Sequence, residues 1–366
     1  MSDQIDFDAA VSKVVDMLCL GGVVLLPTET VYGLAVRASD SSAVERLQSI
    51  KDRGLEHPFS LALSSAVAIS DYASDISDLA KRIARRCLPG PVSLILDVSL
   101  SESEFRFLPL SVQAAASSDG SVCFRVPAHI FTLAVLEKLG EPIILTSANL
   151  RGERPVVSVD EAIERLGAKI SLAVDDGVID NEKPSTLLKV VGNKFSIIRA
   201  GQVSGETLKR LSAKMILFVC TGNTCRSPMA EKICECEIAK RLNCSADDLE
   251  EYGFVVMSAG ISVMSNGGAA SNAVEVLRRR GIDLSNHESR QLNETLVQFA
   301  DYIFAMTRSH RELILSMCPN ADTRLYVLRA DGGDVSDPIG SDLNKYESCA
   351  NQITTEINKR LDEIMK

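Results

Sequence analysis

The chain has 366 residues, of which 46% are hydrophobic and 24% charged, and its formal net charge is −10. This length exceeds that of an ordinary single domain, and the composition is typical of globular proteins with a sizeable core. A pI near 5.1 argues against tight binding of nucleic acid through bulk electrostatics, and no apolar stretch is long enough to span a membrane.

Ten cysteines without a repeated spacing fit a reducing cytosol better than a disulfide framework. The start of the chain is acidic, which argues against a secretory signal. We therefore expect a cytoplasmic protein. Only four His occur, and neither Cys-x-x-Cys nor His-Glu-x-x-His is present, so we expect no structural or catalytic metal.

Periodicity in the first half indicates short strands that alternate with helices, an α/β or α+β pattern. The predicted strands are Gly22 to Leu26, Leu94 to Val98, Val122 to Val126, Ile143 to Leu145 and Ser196 to Arg199. The predicted helices include Asp40 to Ile50 and Leu79 to Arg86. The segment Gly201 to Lys214 has the composition of a short polar helix or linker. We predict domains at 1–206 and 215–366, joined by a linker at 207–214.

Polar groups recur where the predicted elements of the first half end. They are Thr28, Glu29 and Thr30 after the first strand, Lys51 and Arg53 after the first helix, Ser121 and Arg125 around a later strand, and Ser147, Asn149 and Ser185 after two more. Neither common glycine-rich nucleotide loop occurs in this half. Collected at one face, these groups would present cations to a polyphosphate and hydroxyls to a small polar substrate.

These segments, in this order, resemble the YrdC-like family of L-threonylcarbamoyladenylate synthases over residues 10 to 203. The resemblance implies a twisted mixed sheet with helices and synthesis of threonylcarbamoyl-AMP from L-threonine, bicarbonate and ATP, with release of pyrophosphate. The product serves tRNA threonylcarbamoyladenosine modification, so tRNA and tRNA-modification transferases are candidate partners. By the same resemblance threonine is contacted by Thr30, Arg125 and Ser185. The nucleotide is contacted by Lys51, Arg53, Ser121, Ser147, Asn149 and Arg199.

The implied reaction needs no tightly bound cofactor, because ATP is a substrate and Mg²⁺ is its companion. This half departs from the family at Ala62, where many members place a threonine-contacting His. The alternative is a non-catalytic nucleotide- or RNA-binding module that kept the fold and lost the threonine pocket.

The second half opens with the apolar run Met215 to Val219, followed by Cys220-Thr221-Gly222-Asn223-Thr224-Cys225-Arg226-Ser227-Pro228. This order predicts a strand, a phosphate-sized loop and a helix start. Cys220 is the candidate nucleophile, and Arg226 offers a planar fork that can hold two phosphate oxygens. Ser227 can donate to the sulfur while it caps the helix. A Cys that fills the core beside an ordinary turn is the plainer alternative.

The nine residues resemble the phosphate loop of the low-molecular-weight protein-tyrosine phosphatases, and later segments of the chain continue the resemblance. It implies a small doubly wound parallel sheet with Cys220 and Arg226 as catalytic residues. The rest of the loop would bind phosphate through Thr221, Gly222, Asn223, Thr224, Cys225 and Ser227. Asp337, before Pro338, matches the family's general acid, although Asp-Pro alone is only a turn signal.

One loop position helps to choose the substrate within that family. Tyrosine-directed members usually carry Ile where this chain has Thr224, whereas members that resemble the bacterial protein-arginine phosphatases carry Thr. Ile339-Gly340 also replaces the aromatic pair of many tyrosine-directed members. We therefore expect a phosphoprotein substrate, with phosphoarginine favoured over phosphotyrosine. An arsenate reductase on the same fold is a further alternative, but it needs two redox cysteines close together, and Cys318 is isolated.

Overall fold

The computed structural model describes residues 2–52, 58–73, 75–98, 103–150, 152–180, 183–264 and 267–365. The chain divides into two compact units, Met1–Leu211 and Ser212–Lys366. Each unit has its own mixed arrangement of helices around one sheet, so the predicted α/β fold class is confirmed.

The first unit contains ten strands and eight α-helices within the described residues. The strands are β1 (Val24–Leu26), β2 (Gly33–Arg37), β3 (Ser60–Ala62), β4 (Val92–Asp97), β5 (Ser117–Ser118), β6 (Ser121–Arg125), β7 (Ile143–Ser147), β8 (Leu172–Ala173), β9 (Thr186–Val191) and β10 (Lys194–Arg199). The helices are α1 (Ser2–Cys19), α2 (Ser41–Lys51), α3 (Ile69–Tyr72), α4 (Asp78–Cys87), α5 (Leu110–Ala116), α6 (Ile130–Leu139), α7 (Val159–Leu166) and α8 (Gly205–Ser212).

The strands of the first unit form a sheet in the order β10-β9-β4-β6-β3-β7-β2-β1-β8, and β5 pairs with β6. The pairs β1–β8, β3–β6 and β4–β9 are parallel, and the others are antiparallel. This is the mixed sheet that the sequence predicts. One face packs against α2, α4, α5 and α7, and one end of the other face packs against α1 and α6.

The predicted linker at 207–214 overlaps helix α8 and the first residue of β11. Residues up to Ser212 belong to α8, and the side chain of Leu208 is fully buried in the core of the first unit. Lys214 already pairs with Phe254 as the first residue of the next sheet. An amphipathic helix with one buried leucine contributes to the core, so the connection is short and lies at Leu211.

The second unit contains four strands and five α-helices within the described residues. The strands are β11 (Lys214–Cys220), β12 (Phe254–Gly260), β13 (Tyr302–Ala305) and β14 (Leu325–Val327). The helices are α9 (Arg226–Leu242), α10 (Ser271–Arg279), α11 (Glu294–Phe299), α12 (Arg308–Met317) and α13 (Leu343–Ile364).

All strand pairs of the second sheet are parallel, in the order β12-β11-β13-β14. Helices α9, α10 and α13 cover one face, and α11 and α12 cover the other. The first strand, β11, therefore lies between the second and the third, which makes its carboxyl end a topological switch point. Ligands of open α/β sheets bind at such points, and here β11 ends at Cys220.

Within the described ranges, no helix is long and apolar enough to cross a bilayer. In those same ranges, no three His, Cys, Asp or Glu side chains come together as a metal site would require.

Candidate active sites

A cavity of about 470 Å³ opens on the first sheet. Successive residues of a strand point to opposite faces. In β6, Val122 and Phe124 pack in the larger core, whereas Cys123 and Arg125 line the cavity. The cavity therefore lies on the sheet face opposite that core, and its volume falls in the usual range of small-molecule sites, about 300–1,000 Å³.

The cavity is positively charged. The charged side chains that line it, among the described residues, are Asp119, Arg125, Lys189 and Arg199, which is three cations against one anion. The whole chain carries a net charge of −10, so this concentration of positive charge is local. A positive cavity with low-dielectric walls attracts anionic ligands.

Arg125 is held at one edge of its guanidinium group and free at another. Its NH2 group donates to Thr30 Oγ1 at 2.6 Å and to Thr28 Oγ1 at 3.3 Å, and it pairs with Glu29 Oε1 at 3.1 Å. The residue is 9% exposed, and its Nε is buried without a hydrogen-bond partner among the described residues. Buried donors normally have partners, so the unpartnered Nε marks a guanidinium group whose hydrogen bonds are incomplete beside the cavity.

Ser185 and Arg199 lie side by side in the same cavity. Arg199 NH2 donates to the Ser185 carbonyl at 3.0 Å and to its Oγ at 3.3 Å, and the Ser185 Oγ lies 2.8 Å from Ser93 Oγ. Burial, together with the charge of Arg125, lowers the pKa of Arg199. The structure thus brings residues predicted for threonine next to a residue predicted for the nucleotide.

The segment after β10 ties two walls of the cavity together. Gln202 Nε2 donates to the carbonyl oxygens of Glu29 and Lys183, each at 3.2 Å. Gly201 crosses the neighbouring loop so closely that an added Cβ would lie 2.3 Å from the Pro184 carbonyl oxygen. Only glycine allows this approach of two backbones.

Lys51, which is predicted to contact the nucleotide, is bonded to a neighbouring loop in this structure. It ends α2, is 6% exposed, and its Nζ donates to the Ser147 carbonyl at 2.8 Å and to the Asn149 carbonyl. Among the described lining residues Ser121 and Ser147 are present, whereas Lys51 and Asn149 are not. Lys51 therefore holds the loop that carries Ser147. Arg53 lies outside the described residues.

Several lining residues escape sequence reasoning. Ser60, Ser93 and Cys123 line the cavity, and Ser60 Oγ lies 3.2 Å from Cys123 Sγ. In the sequence, each of them is a polar or small residue between apolar neighbours of a strand. This alternation is the pattern that could have indicated a side chain on the cavity face. Ala62 is fully buried against α1 and α6 and is not among the residues that line the cavity in the described part of the chain.

The second unit places Cys220 at the carboxyl end of its sheet. Cys220 is 3% exposed, and its Sγ lies 3.0 Å from Ser227 Oγ in the first turn of α9. Helix α9 begins at Arg226, directly after the loop. The loop therefore opens onto a helix N-terminus, where unpaired backbone N–H groups and the helix dipole favour an anion.

Asn223 fixes the shape of the loop. It has a left-handed backbone with φ of 53°, a conformation that Asn tolerates better than most residues, and it is fully buried. Its Nδ2 donates to Ser227 Oγ at 2.9 Å and to Ser258 Oγ at 2.8 Å. Its carbonyl oxygen lies 2.8 Å from His287 Nε2 and accepts from Ser289 Oγ at 2.9 Å. The loop is thus rigid before any ligand binds.

Arg226 and Asp337 meet across 111 residues of sequence. Arg226 NH2 pairs with Asp337 Oδ2 at 2.5 Å, and NH1 donates to the Val335 carbonyl at 3.1 Å. The Arg226 side chain is 6% exposed and that of Asp337 is 40% exposed. The carboxyl group therefore lies at the open side of the phosphate loop, beside the guanidinium group that would hold a phosphate.

Two further buried side chains contact the phosphate loop, and the sequence analysis did not predict either of them as a site residue. His310 Nε2 lies 3.0 Å from Thr221 Oγ1, and the Tyr346 hydroxyl lies 3.3 Å from Cys225 Sγ. Burial, followed by the positive charge of Arg226, lowers the pKa of His310. His310 is therefore neutral near pH 7 and adds no charge beside the loop.

The position of Asp337 leads to a prediction for Asp337→Asn. We expect hydrolysis of phenyl phosphate to slow by about a hundredfold, because general acids typically contribute 10²- to 10⁴-fold. Hydrolysis of p-nitrophenyl phosphate should slow less, since its phenolate leaves more readily without a proton. Steady-state rates on both esters check this, and equal slowing of the two would argue against a proton donor at this position.

The first unit matches the Sua5/YciO/YrdC family model, described as telomere recombination, over residues 16–201. A putative threonylcarbamoyl-AMP synthase of Mycobacterium tuberculosis is 30% identical over 188 residues, which is 51% of this chain and 82% of that protein. A solved double mutant of P. abyssi Sua5 shares the fold, with a TM-score of 0.50 and 22% identity over 75% of this chain and 86% of that one.

The second unit matches the model of the low molecular weight phosphotyrosine protein phosphatases over residues 215–366. A protein-arginine-phosphatase of Bacillus subtilis is 36% identical over 155 residues, which is 41% of this chain and 97% of that protein. Both resemblances inferred from the sequence are thereby confirmed, and both families are families of enzymes.

Proposed function

Since residues 16–201 belong to the Sua5/YciO/YrdC family and residues 215–366 to the low-molecular-weight phosphatase family, we propose that the chain is a bifunctional enzyme. Its first unit makes threonylcarbamoyl-AMP, and its second unit removes phosphate from protein. The observation that carries the first activity is the positive cavity with the unpartnered Arg125 Nε. The second is carried by Cys220 and Arg226 at the two ends of one rigid loop.

In the proposed synthase reaction, the amino group of threonine first condenses with bicarbonate, which forms a carbamate and releases water. Arg125 binds the threonine carboxylate through its guanidinium group, and its contact with Glu29 sets the plane of that group. Arg199 and Lys189 neutralise the phosphates of ATP, which brings Mg²⁺ with it. The carbamate oxygen attacks the α-phosphorus and pyrophosphate leaves, so catalysis rests on positioning and charge neutralisation.

In the proposed phosphatase reaction, the Cys220 thiolate attacks phosphorus while the loop amides and Arg226 hold the phosphate oxygens. The bond from phosphorus to the leaving nitrogen or oxygen breaks, and Asp337 gives that atom a proton. Binding of phosphate draws the Arg226 guanidinium toward the anion, which frees the Asp337 carboxyl group for this transfer. Water then hydrolyses the phosphocysteine, with Asp337 as the base.

Phosphoarginine is the proposed substrate of the second unit, with phosphotyrosine as the rival. The Bacillus subtilis relative is named for phosphoarginine, and this chain has Thr224 at the entrance of the loop. Its polar γ-group suits a guanidinium group better than a phenyl ring. Ile at this position would instead enlarge the apolar contact with the phenyl ring of phosphotyrosine.

Thr224→Ile tests this specificity. We expect the ratio of kcat/KM for phosphoarginine over phosphotyrosine to fall by about tenfold, because a polar contact is exchanged for an apolar one. The measurement is the rate of phosphate release from two peptides that differ only in the phosphorylated residue. Thr323→Ile, in a 3-10 turn of the same unit, is the matched control and should leave the ratio unchanged. Equal ratios for parent and Thr224→Ile would refute the arginine preference and leave a phosphatase of undefined specificity.

The proposed synthase function is tested by pyrophosphate release from the intact protein with ATP, threonine and bicarbonate. Release should require all three substrates. Calorimetric titration separates this proposal from a non-catalytic module, since an enzyme binds both ATP and L-threonine, whereas a module that lost its amino-acid pocket binds ATP alone.

A further inference from the structure

A chain of polar contacts connects helix α13 to the entrance of the phosphate loop. The Tyr346 hydroxyl lies 3.3 Å from Cys225 Sγ, and Thr224 Oγ1 lies 3.7 Å from the same sulfur. Tyr346 and Cys225 are each 3% exposed, so water does not compete for the first contact. The sulfur of Cys225 therefore links a buried phenol to the side chain that meets the substrate.

The surroundings of Tyr346 keep its hydroxyl group in the neutral form that a hydrogen bond to a sulfur needs. Burial, followed by the contact with Cys225, raises the pKa of Tyr346. The sulfur of Cys225 is held between the Tyr346 hydroxyl at 3.3 Å and Thr224 Oγ1 at 3.7 Å.

The side-chain rotamer of Thr224 is sensitive to such a contact because threonine is branched at Cβ. Fixing Oγ1 at the sulfur also fixes the methyl group, since the two γ-substituents occupy staggered positions on one carbon. The contact with Cys225 thus decides which γ-group of Thr224 faces the entrance. Without it, more than one rotamer of Thr224 becomes accessible.

The same face of α13 also holds the loop that carries the acid. Cys349 lies one turn after Tyr346, and its Sγ donates to the Ser336 carbonyl at 3.6 Å. Burial is the main cause that raises the pKa of Cys349 to about 12, so it remains a thiol donor. Tyr346 and Cys349 thus lie on one face of α13. Tyr346 positions Thr224 through Cys225, and Cys349 positions Ser336, the residue before Asp337.

We propose that Tyr346 is a positioning residue for substrate selection, which acts through Cys225 to hold Thr224 in the rotamer that favours phosphoarginine over phosphotyrosine. This inference rests on the proposed function of the second unit. Tyr346 does not touch the reacting atoms, so its loss should change the choice of substrate more than the chemical step.

The test is Tyr346→Phe in the full chain, which removes one hydroxyl and keeps the ring. The ratio of kcat/KM for a phosphoarginine peptide over the matching phosphotyrosine peptide should fall by about three- to tenfold, the effect of one lost hydrogen bond. The kcat for phenyl phosphate should change by less than about twofold, since Cys220, Arg226 and Asp337 are untouched. Tyr326→Phe is the matched control, because that hydroxyl donates only to the Thr323 carbonyl at 3.0 Å on the surface.

A second variant keeps the proposal testable if Tyr346→Phe folds poorly. Cys225→Ala removes the sulfur bridge, so it should lower the ratio by itself, and adding Tyr346→Phe to it should lower the ratio no further. A parent that releases no phosphate from either peptide overturns the proposed function and this inference with it. A parent that is active, with an unchanged ratio in both Tyr346→Phe and Cys225→Ala, overturns this inference alone.

Discussion

Cys220→Ser is expected to abolish phosphate release by the second unit. The hydroxyl of serine is a far weaker nucleophile than a thiolate at neutral pH, so the rate should fall by about four orders of magnitude or more. The substitution is small, and the new hydroxyl can keep the contact that Cys220 makes with Ser227 at 3.0 Å. The loss is therefore chemical rather than structural. Phosphate release from phosphoarginine and phosphotyrosine peptides measures it.

Cys225→Ser is the matched control for this variant. Cys225 lies in the same loop and is equally buried, yet its sulfur contacts the Tyr346 hydroxyl, whereas the sulfur of Cys220 contacts Ser227 in the first turn of α9. It should retain most of the turnover. If Cys220→Ser kept substantial activity, or if the two variants lost activity equally, Cys220 would not be the nucleophile. Threonine-dependent pyrophosphate release should be unchanged in both.

Arg125→Gln is expected to reduce pyrophosphate release by the first unit by about a hundredfold or more. Each hydrogen bond to a charged group contributes about 1.5–3 kcal/mol, and the substitution removes both the proposed donor to the threonine carboxylate and the partner of Glu29. Glu29 has a side chain that is 18% exposed and accepts from the Ala128 N–H at 2.9 Å, so its charge would remain in place without compensation. The KM for threonine should rise more than the KM for ATP.

Two variants separate substrate binding from structural damage at Arg125. Arg106→Gln removes an arginine whose guanidinium lies over the exposed Phe107 ring at 4.8 Å, and it should leave the rate unchanged. Adding Glu29→Gln to Arg125→Gln removes the unpaired charge and should recover thermal stability without recovering the rate. Recovery of the rate in that double variant would show that Arg125 serves only to neutralise Glu29.

The sequence predicts elements and site residues best where the signal is continuous. Strands β1, β4 and β6 follow from apolar runs of suitable length, and helix α2 follows from apolar residues at helical spacing. Strand β3 has only three residues, and β2 begins at Gly33 within a polar cluster, so neither gives a strong local pattern. The phosphate loop is predictable because its residues are consecutive and together form a single anion-binding turn between a strand and a helix.

The remaining site residues depend on contacts between distant segments. Arg125 and Glu29 are 96 residues apart, and Tyr346 and Cys225 are 121 apart, so no local pattern connects either pair. Lys51 is a similar case. Its spacing predicts a contact with the nucleotide phosphates, and the structure adds hydrogen bonds from its ammonium group to the Ser147 and Asn149 carbonyl groups. These contacts join residues 96 and 98 positions apart, so a spacing rule cannot anticipate them.

We propose that one chain carries two independent active sites. The most direct test of this proposal measures both activities in the same preparations of the intact protein, Cys220→Ser and Arg125→Gln. We expect the parent to release pyrophosphate in a threonine- and bicarbonate-dependent manner and also to release phosphate from phosphoarginine. Each variant should lose one activity and keep the other. A parent without either activity, or a single substitution that abolishes both in a folded protein, would contradict it.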